Sequence, residues 1–173
     1  MKRLVTIFIF MLALAFGSTV LAADGAKLGF VDVQKILLLS DAGKEAKDQL
    51  ALKANKYEAE KNAKEEELKK LKSELEKQSV LLSETARNTK EKDYQQKLKE
   101  YQRFLKDAQD DLQAKNDELT NRIVEEIVKV IQEYGRKNGF TFIFVKNDSM
   151  IFADDKSELT EDLLKLFNVT KKK

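Results

Sequence analysis

The chain has 173 residues, 36% of them charged, with 32 Lys and Arg against 30 Asp and Glu. It has no Cys, His, Trp or Pro. That inventory excludes disulfides and thiol chemistry, and it removes the commonest general base and metal ligand, so no catalytic constellation, metal site or cofactor is expected.

Residues 1–22 read as a secretory signal peptide. Lys2 and Arg3 form its positive start, and Leu4 to Phe16 form an apolar stretch too short to span a bilayer comfortably. Val20-Leu21-Ala22 predicts cleavage before Ala23. Removing Lys2 and Arg3 from 32 basic residues leaves 30 against 30 acidic ones, a neutral mature chain. A general polycation argument for nucleic acid then fails.

Residues 27–33 predict a short buried strand and Gln34 to Leu39 a short helix, together the first body segment, 23–42. Ser40-Asp41-Ala42-Gly43 breaks the chain, with Ser40 or Asp41 able to cap the long helix beyond it. From Lys44 to Tyr134 no glycine or proline occurs. Leu50, Ala54, Tyr57, Lys61, Lys64, Leu68, Leu71, Leu75, Gln78 and Leu82 alternate in steps of four and three, which is coiled-coil spacing. Lys61 and Lys64 interrupt the apolar seam and mark a candidate hinge. Tyr94, Leu98, Tyr101, Leu105, Ala108, Leu112, Lys115 and Leu119 repeat the pattern. Two seams that each need a partner predict an antiparallel hairpin arm over 43–119, with its turn near 78–89. Ser83 is a plausible N-cap for the returning helix, and Asn88 with Glu91 is the rival.

Beyond Leu119 the apolar face widens, so residues 120–168 return to a packed body. Phe140 to Val145 and Met150 to Ala153 predict a β-hairpin around Lys146-Asn147-Asp148-Ser149. Ser157 caps a closing helix through Phe167, and residues 169–173 form a basic tail. The fold class is therefore mainly α with a small β core, a long coiled-coil hairpin projecting from a strand-containing body. Such a small body with open strand edges predicts self-association, through Leu28, Phe30, Val31, Phe140, Phe142, Ile143, Phe144, Ile151 and Phe152.

The sequence resembles the periplasmic Skp/OmpH-type chaperones. The resembling segments are Lys27 to Leu37, Ala42-Gly43-Lys44, Phe140-Thr-Phe-Ile-Phe-Val, Ile151-Phe-Ala-Asp and Glu158-Leu-Thr-Glu-Asp-Leu-Leu. The resemblance covers essentially the whole mature chain. It implies a homotrimer whose bodies share a β core and whose arms surround a cavity. It also implies an ATP-independent holdase for unfolded outer-membrane proteins. Members of the family often carry a strong positive excess on the arms. Here residues 61–100 hold 11 basic and 9 acidic side chains. Client capture is then expected to rest on apolar contacts.

Phe104, off the counted seam, and Val80 and Leu81 near the tip are the candidate client contacts. The tyrosines at seam positions are expected to pack there. The tip lysines offer lipid or lipopolysaccharide phosphates a contact, against an ordinary solvated, ion-paired face. The alternative function is a structural coiled-coil envelope protein acting as spacer or scaffold.

Overall fold

The computed structural model describes residues 25–78 and 83–171. The expected signal peptide and cleavage site, seam residue Leu82, the candidate contacts Val80 and Leu81, and the last two tail residues lie outside the described residues.

Strand β1 (Leu28–Val31) leads into helix α1 (Val33–Leu39). Asp32 starts that helix, accepting a hydrogen bond from the Lys35 amide at 2.8 Å. Two long helices come next, α2 (Asp41–Gln78) and α3 (Glu84–Lys137). Strand β2 (Phe142–Val145) and the closing helix α4 (Thr160–Lys171) complete the chain. At 1.5 Å per residue α2 is about 57 Å long. Ser83 is the N-cap of α3, accepting from the Ala86 amide, whereas Asn88 lies inside the helix.

The two strands pair in parallel, with Leu28 opposite Phe142 and Val31 opposite Val145. The body is thus a strand–crossover–strand unit in which the crossover is α1 and the entire arm. Its return is made by a left-handed glycine. Gly139 has φ 67°, and the Phe140 amide reaches back to the Gly135 carbonyl at 3.0 Å. This closes a Schellman turn, with the Phe140 ring 5.9 Å from that of Tyr134.

The expected β-hairpin does not form. The Leu159 amide donates to the Phe30 carbonyl, and Glu158 bridges Phe30, so the second edge of β1 is claimed by the chain just before α4. Residues 146–157 must cross from the β2 edge to that far edge, and 150–153 are spent on the crossing with no strand partner in this single chain. A short 3₁₀ turn ends at Ser157, so the closing helix starts at Thr160 rather than at a Ser157 cap. The Thr160 hydroxyl, fully buried, accepts from the Asp32 amide.

The core sits where the arm roots in the body. Val31, Ile36, Ala46, Leu119, Ile123, Ile127, Val130, Leu159, Leu163 and Phe167 form one buried cluster. Burial of a side chain such as Ile36, Leu163 or Phe167 stabilises by about 2–3 kcal/mol. Buried Ser40 caps α2 through the Gly43 amide, and Asn168 of α4 accepts from the Asp41 amide at 3.0 Å. Asn168 lies in an Asn-x-Thr sequence, and its carbonyl oxygen is committed to this cross-helix cap.

Gly43 does not break the chain; it lies in the first turn of α2. A Cβ there would stand 1.7 Å from the Leu37 carbonyl oxygen, so α1 and α2 meet only because position 43 has no side chain. Gly43→Ala is expected to destabilise the protein by about 2 kcal/mol through overpacking, read as a lower denaturation midpoint. Gly25→Ala, in open space, should leave the midpoint where it was.

Candidate functional site

Between Ala46 and Gln78 no described side chain of α2 is buried, and on α3 Ala108 is the one buried position before Leu119. The seam residues Leu50, Ala54, Tyr57, Lys61, Lys64, Leu68, Leu71 and Leu75 are all half-buried, and apart from Lys53 their chain neighbours are exposed. That line matches the four-three spacing of the sequence. On α3 the inward face is broader. Tyr94, Lys97, Leu98, Tyr101, Phe104, Asp111 and Leu112 are half-buried, whereas Leu105 is 38% exposed.

Phe104 therefore belongs to the interhelical face, contrary to its placement off the seam. Its ring meets Tyr57 edge-on, with centroids 6.0 Å apart at 67°. The Lys64 ammonium lies 5.2 Å from the Phe104 centroid. Counting from Tyr94, the shared positions 101, 108 and 115 fit both registers, and the three-step to 104 replaces the four-step to 105. A groove of about 440 Å³ opens here, lined by Ala54, Tyr57, Lys61, Phe104, Leu105 and Leu112 among others.

Among the described residues Lys61 and Lys64 make no ion pair across this stretch. Lys61 pairs with Glu58 and Glu65, and Lys64 with Glu60, all on α2 itself. The helix runs unbroken through both lysines. The cross-helix contacts lie to either side. The Tyr57 hydroxyl donates to Asp111 at 2.6 Å, and Lys53 pairs with the same carboxylate. The Tyr101 hydroxyl donates to Glu65. Towards the tip Lys97 pairs with Glu67 at 3.0 Å and Lys90 with Glu74 at 2.7 Å.

These partners set the ionisation of the groups. The hydrogen bonds from Lys53 and Tyr57 hold the Asp111 carboxyl below its usual range. The hydrogen bond to Glu65 pushes the Tyr101 phenol up to about 12, and the bond to Asp111 raises Tyr57. Lys90 lowers Glu74. None of these clasps emerged from the heptad count. In an antiparallel hairpin, facing positions run away from the turn in opposite directions, and pairing each seam tyrosine with the acid opposite would have found them.

The second region is the outer face of the small sheet. Phe142 and Phe144 stack at 6.0 Å and are 58% and 50% exposed. Leu28 and Val145 are open beside them, while Phe30 and Val31 are buried. Ile143 turns inward onto Gly135, and Phe140 stacks under the Lys27 ammonium at 4.2 Å. Ile151 and Phe152 are 98% and 87% exposed. The expected self-association residues thus divide, with Phe30, Val31, Phe140 and Ile143 serving the body's own packing. Among the described residues there is no group of three acids that could hold a metal ion, and no helix is long and apolar enough to cross a membrane.

A two-helix arm with a half-open seam, rooted in a small sheet with an uncovered apolar face, defines an arm-bearing coiled-coil protein. The sequence profile of the outer membrane protein (OmpH-like) family matches residues 27–167, and the chain belongs to that family. A crystal structure of an OmpH-like candidate outer membrane chaperone from Caulobacter crescentus is similar in fold. Its TM-score is 0.78 over 84% of this chain and 85% of that one, at 14% identity. No curated protein matches the sequence.

The raised Tyr101 phenol gives a direct test of the arm's register. In an absorbance titration one phenol is expected to ionise at about 12, and Glu65→Gln, which removes the facing charge, should bring it down towards about 10. An unchanged titration in the variant would mean that Tyr101 and Glu65 do not face each other.

Proposed function

We propose that the protein is an ATP-independent periplasmic holdase that keeps unfolded outer-membrane proteins from aggregating before membrane insertion. Membership of the OmpH-like family supports the chaperone class. The observation that carries the mechanism is the half-open seam. A stable spacer would bury its apolar stripe, whereas this arm leaves Leu105 and the Phe104–Tyr57 groove reachable from solvent. An unfolded barrel protein exposes apolar side chains at every second residue. Many weak contacts with such a groove, made by several arms at once, hold a chain without folding it.

The bodies supply the several arms. In this reading three copies join through Phe142, Phe144, Ile151 and Phe152, the apolar residues that the single chain leaves open, together with the free edge of β2. The arm flexes at Lys61 and Lys64, where seam packing is weakest. Val80, Leu81 and Phe104 make client contacts in this reading. The exported location is inferred from the signal-like residues 1–22. Lipid and lipopolysaccharide phosphates can meet the tip lysines, although those near Glu74 and Glu67 are already paired.

Two measurements test this. Diluting a denatured outer-membrane barrel into a molar excess of the protein should suppress light scattering, and unchanged scattering contradicts the holdase. In solution the mass should be three times that of the single chain. Phe144→Asp combined with Ile151→Asp should lower it to one chain with helicity retained; a wild-type monomer at micromolar concentration refutes the trimer.

A further inference from the structure

We propose that two tyrosine–carboxylate clasps, Tyr57–Asp111 and Tyr101–Glu65, form a latch that holds the middle of the arm closed at neutral pH, and that protonation of Asp111 releases it in acid. The clasps flank the stretch where Lys61 and Lys64 stand in place of apolar seam residues. Among the described residues neither lysine makes an ion pair across the arm, so the two helices are joined there by the clasps, the Tyr57–Phe104 edge contact and the Lys64 ammonium over the Phe104 ring. The arm is two helices thick, and packing cannot substitute for a lost clasp.

Asp111 faces Lys53 and Tyr57 across the seam and has Lys115 on its own helix, itself paired with Glu118 at 2.8 Å. Glu65 faces Tyr101 and has Lys61 on its own helix at 4.0 Å. Glu58 also acts on the Tyr101 phenol. Next towards the tip stand Glu67 with Lys97 and Glu74 with Lys90. Protonating Asp111 weakens its contacts with Tyr57 and Lys53 together. Asp111 is depressed in the folded arm, so its contribution is present above its unfolded value and is lost as pH falls through the folded one. Both tyrosines are raised, so theirs is present below the ordinary phenol range and is lost only in strong alkali. Between those limits the latch is shut. Acid release frees the Phe104 ring from Tyr57 and widens the groove they line.

The inference rests on arm geometry alone, so it can fail while the holdase reading survives, and the reverse. The chain has no cysteine, and a spin-label pair at Ala59→Cys and Lys106→Cys, both exposed, reads the interhelical distance at the latch. In the full-length protein the distance distribution should be narrow near about pH 7 and broaden severalfold only by about pH 2, below the ordinary carboxylate range because Asp111 is held down, with helicity kept. Tyr57→Phe with Tyr101→Phe should show the broad distribution already at neutral pH. Asp111→Asn should show one distribution at both pH values. An arm that stays narrow in acid, or broadens only as helicity is lost, overturns the latch. So does a double phenylalanine variant that remains narrow at neutral pH.

Discussion

A helix that packs against one neighbour leaves each seam side chain with solvent on both flanks, and the arm is built under that constraint. Along α2 beyond Ala46 no described residue is buried, although leucine, alanine and tyrosine recur along the seam. Apolar packing is then partial, and polar contacts between the helices carry part of the closure. Tyrosine suits this position because its ring packs in the seam while its hydroxyl reaches the acid on the far helix. The groove at Phe104, the clasps on either side of it and the open face of the seam all result from having two helices rather than three or four.

The same constraint explains the body. A thin arm cannot stabilise itself, so its root must be held firmly. The core concentrates there, with α1, α4 and the sheet packed around Ile123, Ile127, Leu163 and Phe167. The caps of α2 come from outside it, from Ser40 before the helix and Asn168 on α4. Because β1 and β2 are the two ends of one crossover, pairing them ties both arm helices to the body at once. What the body lacks is a cover for Phe142, Phe144, Ile151 and Phe152, the apolar surface on which the proposed trimer rests.

Much of this was legible in the sequence. The arm, its seam on α2 and the small mixed body are readable from heptad spacing, from the absence of glycine between Lys44 and Tyr134, and from the β-rich segments at either end. Gly43, which the sequence places in a chain break, has a different role. Gly43 and Gly135 lie inside helices, where the Leu37 carbonyl and the Ile143 side chain press close. A glycine needed for close approach and a glycine ending a helix look alike in one sequence. The strand pairing was also beyond local signals. Residues 150–153 have strand-forming side chains, but the edge taken by Glu158 decides their path. On α3, a seam that mixes Lys97 and Asp111 with Phe104 let Leu105 appear to be the inward residue. The clasps were hidden because facing partners depend on the register across the arm's turn, which neither helix encodes alone.

Client crosslinking along the arm tests the central claim most directly, that the half-open seam is the holding surface. Photoreactive labels at Leu105 and Leu112, beside the groove, and at Ala59 and Arg103, on exposed positions away from it, can be compared with a denatured outer-membrane barrel. The account predicts crosslinks concentrated at Leu105 and Leu112 with little reaction at Ala59 and Arg103. Equal labelling at all four positions, or labelling confined to the outer pair, would contradict it.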